Sequence, residues 1–302
     1  MGKVVKIIGA RKTFGEKPVL TGLNLSIPKQ SIYAILGHNG AGKTTTCRII
    51  QGLCNLDEGS VTVFGEEPTK NFKAISRKLG VLSEDLGLYE NLTIKEYLHM
   101  YGSIYGMDKK SINMQIDRLL EYFELSDSLN TTISKFSRGM KKKVALIRTV
   151  IHDPSLIILD EPLNGLDPVI AEKFCEFIYK LKKEEKKTII LTSHHLDEIE
   201  KIIDDYSILK HGKTVDIVDD TTDELIYQIK ISGDSIEAFN LHFEALSRAY
   251  RILHNRDDIL ISLSSEKELN NFIGNLIEKD IYLTALNRCK SSLKEVYMRY
   301  GS

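Results

Sequence analysis

The stretch that decides the fold is Gly37-His38-Asn39-Gly40-Ala41-Gly42-Lys43-Thr44. It follows a short apolar run, Ser31 to Leu36, which we interpret as a strand, and we expect it to open a helix. The pattern Gly-x-x-x-x-Gly-Lys-Thr combines glycines for tight turns, backbone N–H groups aimed at phosphate oxygens, and the positive end of a helix. It therefore predicts a phosphate-binding loop rather than an ordinary turn.

Three side chains at the end of this loop have predicted roles. Lys43 is a point charge for the β- and γ-phosphates, and the Thr44 hydroxyl is a magnesium ligand. Thr45 adds a hydroxyl near the α-phosphate, whereas His38 is expected to fill a variable position rather than bind a ligand. The predicted phosphate-binding residues are Gly37, His38, Asn39, Gly40, Ala41, Gly42, Lys43, Thr44 and Thr45.

A second apolar run, Leu156 to Leu159, is followed at once by Asp160 and Glu161. Ligands collect at the carboxyl ends of strands in open α/β sheets, so both carboxylates are expected beside the phosphate loop. Asp160 would hold magnesium, directly or through water, and Glu161 would polarise the attacking water. The alternative, that these acids merely end a strand in solvent, is weakened by the phosphate loop upstream.

The composition limits the classes of function that need to be considered. Among 302 residues, 41 are Lys or Arg and 42 are Asp or Glu, so no global positive charge attracts nucleic acid. No run of about 18 apolar residues predicts a membrane span. The cysteines show no Cys-x-x-Cys pair and predict neither a zinc site nor a disulfide framework, which fits a reducing cytoplasm. They are Cys47, Cys54, Cys175 and Cys289.

The remaining pattern predicts an α/β ATPase domain over residues 1–220 with a helical insertion at about 75–149. Strands are expected at Val4 to Ile8 and at Leu23 to Ile27. Two covered parallel strands, Leu156 to Leu159 and Thr188 to Leu191, frame a helix from about Val169 to Lys183.

After Asp220 the pattern changes, and residues 221–302 predict a small α+β accessory domain, with a ferredoxin-like arrangement as one option. The expected strands are Ile226 to Ser232, Ile259 to Leu263 and Ile281 to Leu286. The expected helices are Ser235 to Ser247, Glu266 to Glu278 and Leu293 to Tyr300.

Residues 3–215 resemble the nucleotide-binding subunit of an ABC transporter. Gly37 to Thr44 is similar to that family's Walker A, Leu156 to Glu161 to its Walker B with the catalytic glutamate, and Asn164 to Asp167 to its D-loop. The resemblance implies a P-loop NTPase fold with a mixed sheet and a helical subdomain. It also implies that Asp167 belongs to the nucleotide site and that His194 contacts the γ-phosphate. Phe14 matches the aromatic residue that stacks on adenine, with a core phenylalanine as the alternative.

The segment Phe136 to Met140 resembles the signature motif Leu-Ser-Gly-Gly-Gln, with three of five positions changed. Ser137 and Gly139 remain, and they can give a hydroxyl and a backbone N–H to the γ-phosphate at a helix N-terminus. In the family the signature belongs to the opposite subunit, so two ATP molecules lie between two ATPase domains. The resemblance therefore implies a dimer with a second ATPase subunit, identical or different.

A further departure from the family lies at Glu84, where a glutamine usually reaches magnesium and the attacking water. A carboxylate can still bind magnesium, and we include Glu84 with Thr44 and Asp160 as a predicted metal ligand. Three segments are similar to the branch that pairs with a separate exporter permease: Gly80 to Glu84, Gly87 to Thr93 and Ser291 to Tyr297.

The resemblance implies an ATPase motor that uses ATP and Mg²⁺ and drives transport, most simply export, through a separate membrane permease. Such a subunit is cytoplasmic, lies at the inner face of the cell membrane and binds no nucleic acid. The alternatives are an ABC-type ATPase acting on ribosomes or DNA, and a P-loop kinase. A kinase would not require Ser137, Gly139, Asp167 and His194 at these spacings.

Overall fold

The structure is a computed structural model and describes residues 2–193, 196–215, 225–255, 258–289 and 297. Contacts divide the chain into two units, Met1–Val215 with Tyr297–Ser302, and Asp216–Val296. The predicted helix from Leu293 to Tyr300 falls outside the described residues apart from Tyr297, so it stays a prediction.

The first unit alternates strands and helices around the predicted phosphate loop. In chain order its elements are β1 (Lys3–Phe14), β2 (Lys17–Pro28), β3 (Ile32–Leu36), α1 (Lys43–Ile50), β4 (Glu58–Val63), α2 (Phe72–Ser76), β5 (Leu79–Leu82), α3 (Ile94–Ile104), α4 (Lys109–Tyr122), α5 (Arg138–Val150), β6 (Leu156–Asp160), α6 (Pro168–Lys183), β7 (Thr188–Ser193), α7 (Leu196–Ile199), β8 (Asp205–Lys210) and β9 (Lys213–Thr214).

Among the described residues, six strands form the central sheet in the order β5-β6-β7-β3-β8-β9. The strands are parallel except for β9, which pairs antiparallel with β8. Every residue of β3, β6 and β7 is buried, as expected for continuous apolar runs covered on both faces. The predicted α/β fold with a mixed sheet is confirmed. The parallel pairing brings the carboxyl ends of β3, β6 and β7 to one edge, beside the loop that follows β3.

A second sheet of the first unit, with the order β2-β1-β4 in the described part, is antiparallel. Its strands β1 and β2 are longer than the predicted Val4 to Ile8 and Leu23 to Ile27, because the pairing continues as far as Phe14 opposite Lys17. Both sheets contribute to one apolar core, which includes Ile7, Leu23 and Ile158.

The helical segment begins later than the sequence predicts. The predicted range of about 75–149 contains β5, which pairs parallel with β6. The four residues Leu79–Leu82 are too few for hydrophobic periodicity to distinguish a strand from a helical turn. The pairing with β6 determines that they form a strand. The helices are α3, α4 and α5, of which α3 begins with a capping box formed by Thr93 and Glu96.

The second unit consists of β10 (Leu225–Ile231), α8 (Ile236–Ala249), β11 (Arg251–Asn255), β12 (Asp258–Leu263), α9 (Glu266–Ile277) and β13 (Leu283–Cys289). Its described strands form one antiparallel sheet in the order β11-β12-β10-β13. This β-α-β-β-α-β order is that of a ferredoxin-like domain, so the α+β prediction is confirmed. β11 is not predicted by the sequence pattern. It is an edge strand, and its position is decided by pairing with β12.

The second unit has an apolar core of its own. Phe239 of α8 and Phe272 of α9 pack against alternate residues of the sheet, such as Ile229 and Ile261. Both phenylalanines are almost fully buried. Within the described ranges of either unit, no helix has the length and apolar character needed to cross a bilayer.

Candidate nucleotide-binding site

The phosphate loop connects β3 to α1, as the sequence predicts. Gly42, at the N-cap of α1, has a φ of 107°, and a Cβ there would lie 2.8 Å from Cδ2 of Leu20. Both the backbone conformation and the close approach therefore require glycine. The Lys43 ammonium, although buried, donates to the carbonyl of Gly37 at 2.6 Å, which folds the lysine back across the loop.

A hydroxyl and a carboxylate meet where the loop approaches β6. Thr44 Oγ1 donates to Asp160 Oδ2 at 2.9 Å, and Thr192 Oγ1 at the end of β7 donates to Asp160 Oδ1 at 2.6 Å. Asp160 and Thr192 are opposite each other in the parallel register of β6 and β7. The carboxylate is buried and is oriented by one hydroxyl from each side.

Glu161 follows β6 in a left-handed conformation with a φ of 49°. Its backbone N–H donates to Thr192 Oγ1 at 2.9 Å, and its carbonyl accepts from Lys142 Nζ at 3.1 Å. Its carboxylate Oε1 lies 3.6 Å from Lys43 Nζ. Because both side chains are largely buried, this ion pair is less screened than a surface pair.

These groups line one open cleft of about 350 Å³. The predicted site residues that line it are His38, Asn39, Gly40, Gly42, Lys43, Thr44, Thr45, Glu84, Asp160 and Glu161. Lys17, Val19 and Asn164 also line the cleft and were not among the predicted ligands. Gly37 and Ala41 are buried within the loop and do not line it.

Three further predicted site residues, at the starts of two helices, also lie outside the cleft lining. Ser137 is the N-cap of α5, and its Oγ accepts from the N–H of Met140 at 3.3 Å. Gly139 lies in the first turn of the same helix. Asp167 is the N-cap of α6 and accepts from the N–H of Ile170 at 3.0 Å. These residues therefore have local roles as helix starts within their own chain, and their predicted role at a nucleotide stays a prediction.

Phe14 lies at the end of β1 with 48% of its surface exposed, so the alternative that it is a core residue is wrong. The Lys12 ammonium lies 5.4 Å from the centre of its ring. Phe14 does not line the described cleft, and its predicted stacking on adenine is untested. His194 and the segment Ser291 to Val296 fall outside the described residues.

Two buried cations near the site were missed by the sequence analysis. Lys142 of α5 donates to the carbonyls of Glu161 and Asn164, and burial is the main cause that lowers its pKa to about 8. Arg148, at the other end of α5, donates to the carbonyls of Val81 and Leu86, on either side of Glu84. The three consecutive lysines, Lys141 to Lys143, give no local sign of which one points inward, and neither does the single Arg148 after the apolar run.

Residues 20–164 match the family described as ABC transporter. A bacitracin transport ATP-binding protein of Bacillus licheniformis is 39% identical over 216 residues, which cover 72% of this chain and 70% of that relative. The chain belongs to the ABC transporter ATP-binding family. It is accordingly an ATP-binding ATPase, and the P-loop kinase alternative is excluded.

A second ABC relative extends the likeness to both units. The linearmycin resistance ATP-binding protein of Bacillus subtilis is 29% identical over 297 residues, and the match covers 95% of each chain. Among solved structures, an ATP-binding subunit of an ABC transporter is 28% identical with a TM-score of 0.65, over 70% of this chain and 88% of that one. A dimeric cassette bound to ADP and Pi is 25% identical with a TM-score of 0.64, over 70% of this chain and 96% of that one.

The nucleotide-binding cleft offers few protein ligands for a metal ion. Within the described residues there is no group of three or more His, Cys, Asp and Glu that could hold an ion. Thr44, Asp160 and the exposed Glu84 nevertheless share one cleft and present oxygen atoms, the donors that Mg²⁺ prefers. The residues present therefore fit an Mg²⁺ ion whose remaining ligands are phosphate oxygens and water molecules.

Proposed function

We propose that this chain is the ATP-hydrolysing motor of an exporter and acts on a separate membrane permease as one half of an ATPase dimer. The observation that carries the proposal is the cleft at the Walker A loop, where a buried lysine, a hydroxyl and two buried carboxylates converge. Phosphoryl transfer depends mainly on positioning and on stabilising charge. The names of two relatives, bacitracin transport and linearmycin resistance, support export.

In this proposal the Walker A loop holds the phosphates. Lys43 pairs with the β- and γ-phosphates, Thr45 contacts the α-phosphate region, and the N-terminus of α1 adds its positive dipole. The 3.6 Å contact between Lys43 and Glu161 supports a coupled change on binding. Incoming phosphate competes with the carboxylate for the ammonium, so that Glu161 becomes available to water.

Magnesium would be held by Thr44 and Asp160, with Glu84 approaching from its loop. The hydrogen bond from Thr44 to Asp160 supports this assignment, because it brings a hydroxyl and a carboxylate oxygen within 2.9 Å of each other. When bound, the ion neutralises charge on the β- and γ-phosphate oxygens. Thr192 keeps the Asp160 carboxylate oriented, with its hydroxyl 2.6 Å from Oδ1.

Glu161 is the proposed base that takes the proton of the attacking water. It lies next to the metal ligand Asp160 and is held by its backbone at the edge of the cleft. His194 is proposed as the second catalytic residue on the resemblance to the ABC family alone. Phe14 is proposed to stack on adenine, which its exposure permits.

The ATP site is proposed to be completed by a second ATPase subunit. Ser137, Gly139 and Asp167 lie outside the lining of the cleft in their own chain, which supports a role for them across a dimer. A dimeric cassette among the solved relatives supports the same arrangement.

The permease is proposed to dock beside α3. A groove of about 540 Å³ lies there and is mainly apolar. It is lined by Leu88, Tyr89, Glu90, Asn91, Leu92 and Met100. The residues that line the groove follow the Glu84 loop in the chain. A permease helix bound in the groove would therefore respond to changes at the nucleotide site. Such a subunit would lie at the inner, cytoplasmic face of the cell membrane.

The experiment that tests the proposal compares ATP hydrolysis by the wild-type chain and by Glu161→Gln. We expect Mg²⁺-dependent hydrolysis in the wild type and a fall in kcat of about 10²- to 10³-fold in the variant, typical of losing one transition-state group. ATP binding should be at least as tight as in the wild type, because Glu161 is proposed to act on the water and the substitution removes only its competition for Lys43.

The control is Glu185→Gln, a carboxylate on the surface that pairs with Arg118 at 2.7 Å. It should leave kcat unchanged. A Glu161→Gln variant that turns over ATP as fast as the wild type would remove Glu161 as the base.

A further inference from the structure

Lys142 is a buried lysine whose two contacts both reach the turn that carries Glu161. Only 6% of the residue is exposed. Its Nζ donates to the carbonyl of Glu161 at 3.1 Å and to that of Asn164 at 2.8 Å. Burying an ammonium is expensive unless its protons are satisfied, and two carbonyls of one turn satisfy them here.

Arg138, one helical turn before Lys142 on α5, lies against the same turn. An added Cβ at Gly165 would be 2.5 Å from the guanidinium carbon of Arg138, so the two residues are in direct contact. The proximity of Arg138 also contributes to the lowered pKa of Lys142, which shows that the two cations are close enough to repel each other. Lys142 keeps its place beside Arg138 because the carbonyls of Glu161 and Asn164 accept its protons.

The backbone of Glu161 needs such support. A φ of 49° is unfavourable for a residue with a side chain and persists only where its surroundings determine it, at a cost of about 1–3 kcal/mol. Thr192 holds the N–H of this residue and Lys142 holds its carbonyl. The N–H of Asn164 also donates to this carbonyl, at 3.3 Å, but from within the same turn. Lys142 is the contact that ties the turn to α5, and its loss would let the turn shift and take the carboxylate with it.

We propose that Lys142 is a positioning residue for ATP hydrolysis, which fixes the strained backbone of Glu161 and so aims its carboxylate at the attacking water. The inference rests on the proposed role of Glu161 as the base. Because Lys142 belongs to the helix that Ser137 begins, it also fixes the base relative to the signature of the same chain. Lys142 does not line the cleft, so we expect it to make no contact with the nucleotide.

The test is a double-mutant cycle of Lys142→Met and Glu161→Gln in the full-length chain. Methionine has a similar length but no donor. We expect kcat of Lys142→Met to fall about 10- to 10²-fold, the scale of a small misplacement of a reacting group. The KM for ATP should change less than about threefold, since the Walker A contacts remain. In the Glu161→Gln background, Lys142→Met should cause no further loss, because Lys142 acts through Glu161.

The matched control is Lys143→Met. Lys143 is the next residue of α5 and also donates to a backbone carbonyl, that of Phe123 at 3.2 Å, away from the cleft. It should leave kcat and KM unchanged. Lys142→Arg, which keeps a cationic donor, should be faster than Lys142→Met. If the methionine variant does not fold, the cycle is run with Lys142→Gln, whose shorter side chain cannot reach both carbonyls.

Three results would overturn the inference. They are an unchanged kcat in Lys142→Met, an equal effect of Lys143→Met, and a full additional loss when Lys142→Met is added to Glu161→Gln. The proposed base fails separately, by unchanged hydrolysis in Glu161→Gln alone.

Discussion

At the scale of single residues, the site depends on a short chain of polar contacts across two parallel strands. Thr44 and Thr192 orient the two oxygens of Asp160, and Thr192 also accepts from the N–H of Glu161. One hydroxyl thus fixes the proposed metal ligand and the proposed base together. Since Thr192 is fully buried, no water can replace it without a change in packing.

Thr192→Val is the substitution that isolates this hydroxyl, because valine has nearly the same shape. It removes one partner of the Asp160 carboxylate and one of the Glu161 N–H. We expect the free energy of unfolding of the first unit to fall by about 1–3 kcal/mol, the usual cost of leaving buried polar groups without a partner. ATP hydrolysis should fall as well. Thermal or denaturant unfolding and steady-state kinetics measure the two effects.

Thr192→Ser is the control, since it keeps the hydroxyl and loses only a methyl group. It should retain more activity than the valine variant. If Thr192→Val hydrolyses ATP as fast as Thr192→Ser, the hydroxyl is not what holds Asp160 and Glu161.

At the scale of elements, α5 connects the parts of the ATPase that must act together. It begins at Ser137, contacts the Glu161 turn through Lys142, and ends near Arg148. Arg148 Nη1 donates to the carbonyl of Leu86, and Nη2 to that of Val81. A movement of α5 would therefore displace the signature, the proposed base and the Glu84 loop together.

Contact between α5 and β5 is tight enough to exclude any side chain at Gly80. A Cβ there would lie 2.2 Å from the carbonyl oxygen of Thr149 and 2.8 Å from Cγ of Pro154. Gly80→Ala is expected to destabilise the first unit by about 1–3 kcal/mol or more, because backbone must move to admit the methyl group. The measurement is the melting transition of the first unit.

Gly274→Ala is the contrasting substitution. Gly274 is an exposed glycine within α9, and no atom lies within 4 Å of the position of its added Cβ. Alanine should stabilise the second unit by about 0.5–1 kcal/mol through higher helix propensity. Equal effects of the two substitutions would contradict the close packing of α5 on β5.

The elements also show what the sequence could and could not predict. The strands β3, β6 and β7 were predictable because continuous apolar runs are typical of covered strands. The helix α6 was predictable because its apolar residues follow the helical period. The strands β4, β5, β8, β9 and β11 were not predicted. β5 is only four residues long and β11 mixes polar with apolar residues, so each is decided by its neighbour in the sheet. Helix α6 begins at Pro168, one residue before the predicted Val169, with Asp167 as its cap.

The residues of the candidate site were likewise predictable only where a local sequence pattern marks them. Local patterns identified Lys43, Thr44, Asp160 and Glu161, because each belongs to a contiguous motif. Thr192 could not be found in this way, since its partners depend on the register between β6 and β7, which no local pattern encodes.

At the scale of the whole molecule, one chain supplies only part of the proposed ATP site. The cleft contains the Walker A loop and the carboxylates, whereas Ser137 and Gly139 are at the start of α5 and do not line it. If the signature of a second chain completes the site, ATP is the bridge between the two chains. Dimer formation should then require ATP and end with its hydrolysis.

Slowing hydrolysis should therefore trap the dimer. We expect Glu161→Gln to be mainly monomeric without nucleotide and dimeric with ATP and Mg²⁺, measured by light scattering after size exclusion. Adding Ser137→Ala should weaken the dimer about tenfold or more, because a hydrogen bond to a charged phosphate contributes about 1.5–3 kcal/mol. The affinity of the monomer for ATP should not change. Ser134→Ala is the control, since Ser134 is also exposed and precedes Ser137 by three residues. Loss of ATP affinity in the Ser137→Ala monomer would show instead that the serine acts on the nucleotide of its own chain.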